Sequence, residues 1–110
     1  MEEAIPGPGI LVVLYLRDPR EKAWGVLLKM ETSGLWMKGI ELEAFDDWVG
    51  ELAAGGEPSL GPSTFFVPLA RVEKMVADRR TGQVPSLAER LEGRLGVPAQ
   101  EVLDAGPTKI

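Results

Sequence analysis

The chain has no cysteine and no histidine. Without cysteine there is no disulfide framework and no thiolate chemistry, and a cytoplasmic setting is expected. Without histidine the commonest general base and the commonest metal ligand are both missing. Long apolar runs are missing too. The longest, Ile10 to Leu16, falls far short of the roughly 20 residues a membrane-spanning helix needs. The start, MEEAIPGPG, lacks the basic residues and apolar core of a signal peptide. No basic residue lies between Lys38 and Arg71. No glycine-rich phosphate loop is present, because Gly7-Pro8-Gly9 carries a proline and opens no helix.

What remains is an ordinary globular composition, 45% apolar and 26% charged, over 110 residues; that length specifies one domain. The net charge of −5 argues against non-specific binding to nucleic acid, which needs cations on phosphates. The charge is unevenly placed. Glu41, Glu43, Asp46, Asp47, Glu51 and Glu57 are acidic, and Arg71, Lys74, Arg79 and Arg80 then form a basic cluster. Such asymmetry can draw one copy towards another, or simply make two solvated faces.

The centre of the pattern is Trp24 to Leu42. Trp24, Val26, Leu28 and Met30 alternate on one face of an extended chain, with Gly25, Leu27, Lys29 and Glu31 on the other. A turn at Glu31-Thr32-Ser33-Gly34, where Gly34 can take a positive φ, leads into Leu35 to Lys38. Gly39 within the second run predicts a bulge or sharp bend. Before this hairpin, Gly9 to Arg17 reads as a strand with both faces covered, by a helix or by another subunit. The turn that follows it is at Asp18-Pro19.

After the hairpin the period changes. Phe45, Trp48, Val49 and Leu52 line one face of a helix over about 43–53, stopped at Gly55-Gly56. Ser63 to Val67 and Arg71 to Ala77 read as strands around a single 3₁₀ turn at Pro68-Leu69-Ala70. Ser86 with Glu89 is a capping box for a helix carrying Leu87, Leu91 and Leu95 and ending at Gly96. Pro98 to Leu103 is a further short helix. The predicted fold is therefore mainly β: a strongly bent five-stranded antiparallel barrel with an inserted helix and a C-terminal helix. Residues 1–8 are a tail, 9–84 the barrel, and 85–110 a helical extension and tail.

Over about Gly9 to Ala77 this arrangement resembles the Sm-like branch of the small SH3-like barrels. Two segments carry the resemblance, RDPREKAWGVLLKMETSGLWMKG and TFFVPLARVEKMVA. The first is similar to the Sm pattern of strand, short turn, bent strand with a glycine, turn and strand. The second is similar to its two short strands around one tight turn. The chain also resembles a family of small bacterial proteins with the pattern PREKxWGxLL…FDDW…FFPLxRVE, which brings no activity with it. Sm proteins carry an Asp and an Asn-type RNA contact after the second strand and an Arg-Gly or Lys-His pair before the last. Here those places hold Glu31-Thr32-Ser33-Gly34 and Leu69-Ala70-Arg71, so the RNA contacts do not transfer. The N-terminal helix typical of that branch is also missing from the pattern.

Candidate chemistry is thin. Asp46 and Asp47 are adjacent carboxylates, which on a helix do not face one point, so no metal site and no cofactor is expected. No serine has a histidine to activate it, and an enzyme is the least favoured class. Trp24, Trp36 and Trp48 are a candidate partner surface, or core. The favoured function is a protein-binding or assembly module that self-associates through the first strand's outer face or a barrel edge. The alternative is an Sm-like RNA-binding protein using Arg71, Lys74, Arg79 and Arg80, which is not favoured; membrane association is not expected.

Overall fold

The hairpin at the centre of the pattern forms, and its neighbours extend it on both sides. In the computed structural model, which describes residues 7–105, the strands are β1 (Leu11–Leu16), β2 (Glu21–Glu31), β3 (Gly34–Glu41), β4 (Ser63–Pro68) and β5 (Val72–Ala77). Helix α1 (Leu42–Ala53) lies between β3 and β4, and a 3₁₀ turn, Leu69–Arg71, joins β4 to β5. Helices α2 (Leu87–Leu95) and α3 (Ala99–Ala105) follow. All pairings are antiparallel, in the order β4-β3-β2-β1-β5. The sheet is open: β4 and β5 stand at its two edges and share no ladder. Most of the expected tails lies outside the described residues. Within them, the Gly9 N–H donates to the Leu27 carbonyl at 2.7 Å, which ties this end of the chain to β2.

Alternation places two apolar clusters on opposite faces of the one sheet. Val13, Trp24, Val26 and Ile40 meet Phe45, Trp48 and Val49 of α1, Leu91 of α2, and Ala99 and Leu103 of α3. Trp24 packs edge-on against Phe45 at 5.2 Å between ring centres, a favoured aromatic geometry. Val12, Leu14, Leu16, Ala23, Leu27, Leu35, Met37 and Val67 form the second cluster. No helix contributes to that second cluster, yet Leu14, Leu27 and Met37 are fully buried. Phe65, Val72 and Met75 of the outer strands pack against it instead. The double cover expected for the first strand comes from within the chain: helices on one side, side chains of the outer strands on the other.

β2 and β3 approach each other closely at the centre of the sheet. Gly25 and Gly39 are cross-strand partners. A Cβ on Gly25 would lie 2.2 Å from the Lys38 carbonyl oxygen, so the two backbones meet where only glycine fits. A bulge then breaks the β2–β3 register between Leu27 and Lys29. This corrects the simple alternation read from the sequence. Trp24 and Val26 are buried, but Leu28 and Met30 beyond the bulge are 42% and 50% exposed. Gly34 also differs from expectation. It is not among the positive-φ glycines; it is required because a Cβ there would lie 2.1 Å from the Val67 carbonyl oxygen of β4. The Asp18-Pro19 turn is present, with Asp18 at φ 55° and a cis bond into Pro19.

At the other end of the sheet, Asp78 joins three elements. One carboxylate oxygen accepts from the Trp24 indole Nε1 at 2.9 Å and from the Ala88 N–H, and the other accepts from the Leu87 N–H. The Ser86 hydroxyl takes the Glu89 N–H, and the Glu89 carboxylate takes the Ser86 N–H in return. The first-turn donors of α2 are thus satisfied by two acids and a serine. That hydrogen bond from Ser86 holds the exposed Glu89 carboxyl below the usual glutamate range, with Arg80 adding to the effect. A carboxyl depressed on folding contributes stability above its unfolded value and loses it as pH falls through its folded one. Acidification is therefore expected to loosen the start of α2 through Glu89. An NMR titration of Glu89 should give a midpoint below that of glutamate in an unstructured peptide. In Glu89→Gln, which can keep the hydrogen bond but not the charge, the protection of the Ser86 amide relative to its intrinsic exchange rate should no longer change with pH in that range.

Candidate binding surfaces

The four basic residues singled out in the sequence do not form one bare cationic face. Arg71, at the end of the 3₁₀ turn, pins the β1–β2 turn. Its Nε donates to the Arg17 carbonyl at 2.9 Å, and its Nη2 donates to the Pro19 carbonyl at 2.7 Å and to Glu21 at 3.2 Å. Lys74 on β5 lies 4.7 Å from the centre of the Tyr15 ring, and Lys22 on β2 lies 5.1 Å from the same ring. Since β5 and β2 flank β1 on either side, the tyrosine sits between two lysines, a cation–π arrangement. Arg80 pairs with Glu89 at 3.3 Å, and Arg79 also has a partner.

The three tryptophans separate into different environments. Trp24 is fully buried with its indole on Asp78, and Trp48 is 2% exposed. Trp36 remains 37% exposed on β3, beside Phe66 of β4 at 5.3 Å, with its Nε1 donating to Glu31 at 3.2 Å. Around the β2–β3 turn, Leu28, Met30, Trp36 and Leu69 are exposed apolar side chains. Among the described residues, no group of three or more acidic side chains is placed to hold a metal ion, and no helix is long and apolar enough to cross a membrane.

Among the described residues, the two larger of the concavities lie beside the sheet. One, of about 440 Å³, opens beside β4 between Phe65, Val67 and Ala23, with Glu21 and Arg71 lining it as well. The larger, of about 740 Å³, is a groove between α1, the loop after it, and α3. Its apolar lining includes Trp48, Leu52, Leu60, Pro62, Val97 and Val102. Glu51 shapes one wall by accepting from the Ser59 N–H at 2.8 Å, which fixes the loop against α1.

No protein-family model, curated protein or solved structure matches this chain. The case for function therefore rests on the sheet edges and the two concavities. Sequence reasoning did not find the groove, because its residues come from four separate segments. The one local signal was Leu60-Gly61-Pro62, a compact loop beside an aromatic helix face.

Proposed function

We propose that this chain is a non-enzymatic assembly module, an Sm-like barrel that binds protein and joins copies of itself through its sheet edges. Strand order β4-β3-β2-β1-β5, with a single 3₁₀ turn linking the two outermost strands, supports the barrel reading, as does the close backbone approach at Gly25 and Gly39. The observation that carries the assembly reading is the pair of unmatched edges. Among the described residues, β4 and β5 each pair with one strand only, and unpaired N–H and C=O groups along an edge invite another strand. Proline guards these edges little: β5 has none and β4 has one at its last residue, while Glu73 and Lys74 put charge on β5. Association through the first strand's outer face has lost its motive, because the chain's own helices cover that face.

Pairing β4 of one copy with β5 of the next is heterologous, and it closes into a ring only if the rotation permits. Sedimentation equilibrium over a wide concentration range should give a mass that is a multiple of 11.9 kDa. A single species at the chain mass, persisting at high concentration, would overturn self-association. The RNA reading has less support, since Arg71 and Arg80 are engaged within the chain.

A further inference from the structure

The groove between α1 and α3 contains a donor without a hydrogen-bond partner among the described residues. Trp48 is 2% exposed, yet among the described residues its Nε1 has no hydrogen-bond partner. The nitrogen faces Gly61, whose added Cβ would lie 3.7 Å from it, and both residues line the groove. It is not sealed off from solvent, so the groove is its way out. The other two indoles are satisfied, by Asp78 and by Glu31. Lys38, half-buried on β3, also lines the groove and has no ion pair or hydrogen bond among the described residues. Two exposed carboxylates, Glu57 and Glu101, flank these donors.

We infer that this groove binds an extended, proline-rich segment of another protein with a basic residue beside it. The lining is largely apolar, with two donors that have no partner among the described residues, so an occupant fits best that brings acceptors and few N–H groups that would be stranded. A polyproline II segment does this. It has no internal hydrogen bonds, its carbonyls point outward, and each proline removes an N–H. Its ordering cost on binding is low, because the segment is already extended. Glu57 and Glu101 then favour a lysine or arginine at the flank and disfavour an acidic one. The chain's own proline-containing start, Ile5-Pro6-Gly7-Pro8, follows Glu2 and Glu3, and that rim selects against it. A volume of about 740 Å³ is within the range of about 300–1,000 Å³ usual for specific sites.

The groove reaches the loop just before β4 through Gly61 and Pro62, so the two readings are told apart by measurement: edge association by the mass of the free chain, peptide binding by the Trp48 indole shift. The test uses the full chain, labelled with ¹⁵N, and a panel of acetylated, amidated octapeptides. These run from Lys-Pro-Pro-Leu-Pro-Pro-Leu-Pro through variants with shifted leucines to a version with glutamate in place of lysine. The three indole resonances are assigned with Trp48→Phe and Trp36→Phe. The expected result is a saturable shift of the Trp48 indole resonance with at least one basic peptide, weaker binding of its glutamate version, and no movement of the Trp24 resonance. Trp48→Phe removes the donor and should weaken binding roughly three- to tenfold, the worth of one hydrogen bond. Gly61→Val is a second variant that spares the core: its Cβ makes an ordinary contact with Trp48, and its methyls cover the donor. It should lose binding while the Trp24 resonance stays in place. No saturable shift across the panel, movement of the Trp36 resonance alone, or undiminished binding by both variants would overturn the proposal.

Discussion

Replacing Gly39 by alanine is expected to destabilise the fold by about 3 kcal/mol or more, at the upper end of what overpacking does. The reason is that the obstruction is backbone. A Cβ at Gly39 would sit 2.2 Å from the Trp24 carbonyl oxygen and 2.9 Å from the Gly25 Cα. Neither can move without pulling β2 from β3 at the centre of the sheet. Gly25→Ala should behave alike, since its Cβ would meet the Lys38 carbonyl at 2.2 Å and the Gly39 Cα at 2.5 Å. Gly93→Ala in α2 is the matched control, because nothing lies within 4 Å of its Cβ. There the change should stabilise by about 0.5–1 kcal/mol through helix propensity. Urea denaturation of the three variants checks both signs. A Gly39→Ala protein as stable as the parent would mean that the two strands do not approach this closely.

The second large effect is expected at Asp78. Asp78→Ala removes the acceptor of the Trp24 indole and of two first-turn donors of α2 in one change. Trp24 is wholly buried, so its N–H is left without a partner. The combined loss should be about 2–4 kcal/mol, from one stranded buried donor and one damaged helix start. Asp78→Asn keeps one oxygen and should fall between alanine and the parent. Denaturant midpoints give the stability, and the near-ultraviolet circular dichroism of the tryptophans reports whether Trp24 stays ordered.

These two positions were unequally legible in the sequence. Gly39 inside an apolar alternation marked a special position, because a glycine there gives up packing for close approach, and β2 does approach closely at that point. Asp78 gave no such signal. It sits in a polar loop, and its partners are 54, 9 and 10 residues away, beyond any local spacing rule. The capping box of Ser86 and Glu89, by contrast, is a three-residue motif and forms as expected. The helix face of Phe45, Trp48 and Val49 was also readable, since 3.6-residue periodicity is local. Alternation failed past Leu27 for a definite reason. A bulge shifts the phase of every later side chain, and nothing in Leu28-Lys29-Met30 marks where it falls. The candidate surfaces were the least legible. Trp48 suited the core better than a surface, and it is buried in body with an indole edge reaching the groove. Arg71 looked like an exposed cation, and its guanidinium is spent on the carbonyls of a turn 52 and 54 residues earlier.

Strand β1 is laddered on one side to β2, which follows it directly, and on the other to β5, with Val12 opposite Ala77. During synthesis, the ribosome delivers the first partner soon after β1 and the second only when residue 77 has emerged. The layer that covers Val13 comes later still, since Leu91, Ala99 and Leu103 belong to it. A nascent chain halted near residue 60 would therefore present Val12, Val13 and Leu14 on a strand with one bare edge and neither face finished. Long-range pairing of this kind slows folding and lengthens the exposure of adhesive surface. The order in which the chain is made thus leaves its most apolar strand waiting longest, and a vulnerability of the newborn protein follows from the topology of the finished one.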